Sequence, residues 1–79
     1  MTLSVEHLKR YIIDNFDLDD EEADPENKLF SSGLLDSLTM MELITYIESE
    51  CQFRFKALDI NLLNLDTINS MVAYIDSRV

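Results

Sequence analysis

The chain has 79 residues, 47% of them hydrophobic, with sixteen Asp and Glu against six Lys and Arg for a formal charge of −10. This length allows one small domain, residues 1–79, burying only about 60% of its unfolded surface, which leaves no room for a deep two-lobed active site. The acidity argues against nucleic acid and anionic lipid, both bound through Lys and Arg, and steers the chain toward basic partner surfaces.

The hydrophobic fraction is that of a globular protein. One Pro and one Gly leave too few turns for a many-stranded sheet. No apolar run reaches membrane-spanning length, and the opening "MTLSVEHLKR" has no apolar signal core, so a monomeric cytoplasmic protein beginning at its own start methionine is expected. A single cysteine, Cys51, rules out an internal disulfide and any multi-cysteine metal site.

The first periodic segment is "SVEHLKRYIIDNF", where Val5, Leu8, Ile12 and Phe16 recur at spacings of three and four. That is one face of a helix, with Thr2 or Ser4 as its cap. The pattern then stops for about twenty residues, "DLDDEEADPENKLFSSGLL". A connection so long needs a task or its own packing; Leu18, Leu29, Phe30, Leu34 and Leu35 are the expected anchors.

A second helix is predicted from the N-cap Asp36 to about Glu50. Met40, Leu43, Ile44, Ile47 and Cys51 form its core stripe. Leu38, Met41, Glu42, Thr45, Glu48 and Ser49 form a mixed apolar and acidic outer face. "QFRFKALDINLLNLD" reads as an extended connection with a short helix within residues 59–64. Asp66 is expected to cap a last helix whose stripe is Ile68, Met71, Val72, Ile75 and Val79. The sum is all-α, a small four-helix bundle of three principal helices and one short one with a long first loop. The tyrosines 11, 46 and 74 are expected with rings on the core and hydroxyls at its rim.

Ser37, in "LLDSLT", is the residue whose setting demands a chemical account. As a hydrolytic nucleophile it needs a base and a group orienting that base. The only histidine, His7, is expected to face solvent, and Leu35 and Thr39 stand where a Gly-x-Ser-x-Gly elbow has its glycines. A calcium loop in "DLDDEEADPENK" fails at two places, with Glu22 where the turn needs Gly and Lys28 where a bidentate Glu belongs; no metal site is expected. An attachment point remains. Following the cap Asp36, Ser37 is the first helical residue, where unsatisfied N–H groups and the positive end of the helix favour an esterified phosphate.

"LFSSGLLDSLTMMELITYIE" resembles the signature of acyl and peptidyl carrier proteins, and the likeness extends over nearly the whole chain, to the last helix opening "LDTINSMVAYI". The resemblance implies a bundle that is not itself an enzyme. Ser37 would receive 4′-phosphopantetheine from coenzyme A through a phosphopantetheinyl transferase and magnesium, with Asp36 supporting the modification. The arm's thiol would hold an acyl or aminoacyl unit as a thioester. Leu38, Met41, Glu42, Thr45 and Glu48 match the face that such proteins show to partners: an adenylating ligase or acyltransferase that loads the arm, and a downstream synthase or transferase.

Two residues between Gly33 and Asp36, and a second helix carrying Thr39 and Thr45, depart from the fatty-acid type. They are closer to free-standing carriers of polyketide or nonribosomal peptide assembly. D-alanyl carriers of teichoic acid modification are also similar around "LFSSGLLDS". A helical adaptor that bears no arm is the reading from another class.

Overall fold

The computed structural model describes residues 3–78; the expected roles of Thr2 as a cap and of Val79 in the last stripe lie outside the described residues. The described chain is all helical, without strands. Its elements are α1 (Val5–Phe16), α2 (Ser37–Cys51), a 3₁₀ turn at Ala57–Asp59, the short α3 (Leu62–Leu65) and α4 (Ile68–Arg78). This is the expected bundle of three principal helices and a short one. The short helix sits slightly later than predicted, because the Asn61 side chain caps it by accepting from the Asn64 N–H at 3.0 Å.

Ser4 caps α1, its hydroxyl oxygen accepting from the His7 N–H at 3.1 Å. With only one glycine in the chain, α1 and α2 end on Asp17 and Gln52, both in the left-handed region at φ 58° and 53°. Non-glycine residues hold that conformation at some cost.

The periodic stripes meet in one core. Leu8 and Ile12 of α1, Leu43 and Ile47 of α2, and Ile68, Met71 and Ile75 of α4 are all but fully buried. Met40, Val5, Phe16 and Val72 pack half-buried against them. Cys51 closes the α2 stripe, buried and unpaired. A second aromatic layer covers the far end: Phe55 stacks on Tyr74 at 5.1 Å between centroids, with Phe53 tilted against both. The Tyr74 hydroxyl donates to Asp59 at 2.7 Å, where Arg78 also lands at 3.0 Å.

The long loop belongs to the fold. Leu29 and Leu35 are buried, Leu18, Phe30 and Leu34 lean on the core, and Ala23, which the periodicity did not single out, is fully buried. The acidic run folds on itself: the Glu22 N–H donates to Asp19 Oδ1 at 2.7 Å and the Asp19 N–H to Glu22 Oε1 at 3.0 Å. Among the described residues no group of three or more His, Cys, Asp or Glu could hold a metal ion.

Asp66 corrects one expectation. The cap of α4 is Thr67, whose hydroxyl oxygen accepts from the Ser70 N–H at 3.0 Å. The buried Asp66 carboxylate instead reaches back to the loop. It accepts from the Phe30 and Ser31 N–H groups at 2.8 and 3.0 Å and from the Ser31 hydroxyl at 2.6 Å. The Leu29 N–H donates to the Asp66 carbonyl at 2.8 Å, and the Asn69 N–H to the Pro25 carbonyl at 3.1 Å. Three backbone N–H groups of the loop, and one in the first turn of α4, that would otherwise be left wanting are thereby satisfied.

Candidate functional site

The loop delivers the chain to α2 through a tight turn. The Gly33 N–H donates to the Phe30 carbonyl at 3.2 Å and the Leu35 N–H to the Leu29 carbonyl at 2.8 Å. Gly33 has φ +88°, a backbone conformation that side chains disfavour. Leu35 then buries its side chain, and the next two residues, Asp36 and Ser37, are exposed. The position of Ser37 is therefore fixed by a buried leucine two residues before it and by the core face of α2 behind it.

Asp36 is the N-cap, as its sequence context predicts. Its Oδ1 accepts from the Thr39 N–H at 2.9 Å and from the Thr39 hydroxyl at 2.8 Å, and its carbonyl accepts from the Met40 N–H at 3.0 Å. The Thr39 N–H, then the Thr39 hydroxyl, hold the Asp36 carboxyl below the usual carboxylate range. Ser37 follows as the first residue of a 15-residue helix. Among the described residues nothing hydrogen-bonds its hydroxyl, which is open to an approaching enzyme and to the positive end of the helix.

The outer face of α2 runs on from Ser37. Leu38 is 70% exposed and Met41 54%, with Glu42 and Thr45 exposed beside them. The Thr45 hydroxyl donates to the Met41 carbonyl at 3.0 Å and stays within its own helix. Glu48 differs from the rest of this predicted set. It is half-buried, and its carboxylate accepts from the Phe55 N–H at 2.8 Å, which ties the end of α2 to the following segment.

The Tyr11 and Tyr46 rings pack against the core as the sequence predicts, but sequence reading missed that they pair to form the far wall of this face. Tyr11 of α1 stacks flat on Tyr46 of α2, centroids 3.6 Å apart and planes 11° apart, and Phe16 meets Tyr11 edge-on at 5.8 Å. Both tyrosines fall off their helices' core stripes, and that was the available signal. His7 is exposed, with Nε2 2.7 Å from the Tyr46 hydroxyl.

A small helical scaffold that holds one bare serine at the head of a long helix, with a greasy and acidic strip beside it, is suited to carrying a group for other proteins to work on. The phosphopantetheine attachment site family matches residues 6–75, and the chain belongs to that family of carrier proteins. Comparison with individually curated proteins gives no match. The family's domain is the site of covalent 4′-phosphopantetheine attachment, its members are generally non-catalytic, and they meet a phosphopantetheinyl transferase and synthase partners. No helix among the described residues is long and apolar enough to cross a membrane.

The residues present fit the group. A bulky phosphodiester needs a hydroxyl that is exposed, unengaged and near helix N–H groups, and Ser37 meets all three conditions.

Proposed function

We propose that Ser37 carries the 4′-phosphopantetheine and that this single domain is a free-standing carrier, delivering an acyl or aminoacyl unit in polyketide or nonribosomal peptide assembly. The observation that carries the reading is the exposed, unengaged Ser37 hydroxyl at the first residue of α2, within the span of the family match. When bound, the arm supplies a thiol that holds its cargo as a thioester. Asp36 orders the first turn through Thr39, keeping Ser37 presented. Leu38, Met41, Glu42 and Thr45 offer partners a small apolar centre with an acid at its edge, which orients a transient complex without great affinity.

The domain leaves bond-making to others. Ser37 has no base of its own in this reading, since the chain's one histidine has its Nε2 against the Tyr46 hydroxyl. Incubation with coenzyme A, magnesium and a broad-specificity phosphopantetheinyl transferase should add the mass of one arm to the wild type and nothing to Ser37→Ala. A wild type that gains nothing with several such transferases, or a Ser37→Ala protein that gains as much, refutes the reading.

A further inference from the structure

Between α1 and α2 lies an open groove of about 740 Å³. Its apolar lining comes from Tyr11, Phe16, Leu38, Met41 and Tyr46, and its only charged lining residue is Glu42. Leu38 also immediately follows Ser37, so the groove begins one residue from the hydroxyl. Burial, then the Glu42 charge, pushes the Tyr11 hydroxyl up, which agrees with Glu42 lying close to the Tyr11 wall.

Resting on the reading of Ser37 as the arm's anchor, we propose that this groove receives the cargo of the chain's own arm, and that the cargo is an aminoacyl unit with an apolar or aromatic side chain. Its side chain lies along Tyr11, Tyr46 and Met41, and its free α-ammonium faces the Glu42 carboxylate. The charge complementarity favours that class: an α-ammonium gains an ion pair with the exposed Glu42, a simple acyl unit leaves Glu42 to water, and a carboxylated one such as malonyl is repelled by it. A shallow groove suffices because a tethered ligand experiences an effective concentration on the order of millimolar, so even a weak site is substantially filled.

The test uses the full chain, ¹⁵N-labelled and loaded with amide-linked, hydrolysis-resistant pantetheine analogues bearing phenylalanyl, N-acetylphenylalanyl or hexanoyl groups, each confirmed by mass. The phenylalanyl ring should show nuclear Overhauser contacts to Tyr11, Met41 and Tyr46. Acetylating the amine should weaken the contacts about two- to fivefold, the range of an exposed ion pair, and hexanoyl should behave like the acetylated form. Glu42→Gln, at an exposed position, should erase the difference between free and acetylated amine. A wild type that takes no arm overturns the reading of Ser37 and this inference with it. An arm confirmed by mass whose cargo never contacts the groove overturns this inference alone. Equal contacts from all three analogues in the wild type overturn the aminoacyl class.

Discussion

Ser31 and Asp66, 35 residues apart in sequence, are joined twice: the Ser31 hydroxyl donates to Oδ2 at 2.6 Å and its N–H to Oδ1 at 3.0 Å. The same carboxylate takes the Phe30 N–H at 2.8 Å. The turn that presents Ser37 thus hangs from the junction of α3 and α4.

Removing that carboxylate should loosen the turn without touching the serine. Asp66→Ala leaves two N–H groups and a hydroxyl without their acceptor in a half-buried place, and should cost about 2–3 kcal/mol. For a domain of this size that is a fall in Tm of roughly 10–20 °C. Ser31→Ala, losing one bond, should cost about 1 kcal/mol. Thermal unfolding followed by circular dichroism measures both.

The same group sets a pH dependence. Burial pushes the Asp66 carboxyl up, but the Ser31 hydroxyl, the Ser31 and Phe30 N–H groups and the Lys28 charge together leave it below the usual carboxylate range. A carboxyl lowered on folding contributes fully above its unfolded value of about 4 and loses that contribution as pH falls through the folded value. Wild-type Tm should therefore decline below about pH 4 more steeply than that of Asp66→Asn. Parallel curves for the two proteins would remove Asp66 from the acid response.

Backbone strain makes opposite predictions at two sites. Gly33 has φ +88° with open space where a Cβ would stand, so Gly33→Ala meets no clash and should cost about 1–2 kcal/mol from conformation alone. Gln52, the exposed left-handed residue ending α2 at φ 53°, should tolerate glycine, and Gln52→Gly should raise stability by about 0.5–1 kcal/mol. Chemical denaturation with unchanged m-values is the expected signature of both.

On the exposed face of α2, Met41→Asp and Glu42→Lys should each lower the rate of arm transfer by a cognate transferase roughly three- to tenfold, because both disturb encounter and orientation. Melting curves should stay within about 0.5 kcal/mol of the wild type, since both side chains are on the surface. Wild-type transfer rates in both variants would dismiss this face as a docking surface.

Much of this arrangement was legible in the sequence because it is local. The three helices follow from apolar spacing of three and four, the cap at Asp36 from residue type, and the anchors Leu29 and Leu35 from apolar pairs inside an otherwise polar stretch. Where the reading failed, the deciding contact was remote. Asp66 and Thr67 are both good caps standing side by side, and nothing local says that the carboxylate will be drawn to Phe30 and Ser31 while the hydroxyl takes the helix. Glu48 carries the spacing of the outer face, yet Phe55, seven residues on, claims one of its oxygens. The Tyr11–Tyr46 stack joins two helices across 35 positions and has no periodic signature of its own. Ala23 is too small for its burial to be read from pattern.

Cys51 is the chain's only sulfhydryl, and it is shut in the core at 4% exposure with burial pushing its thiol up. The polypeptide therefore contributes almost no thiolate at neutral pH. Cargo on a flexible tether finds no competing sulfur to hop onto, and transthioesterification stays directed outward, to the next protein in line. The same seclusion makes the protein a clean reporter: an alkylating dye that marks the folded chain is counting prosthetic arms.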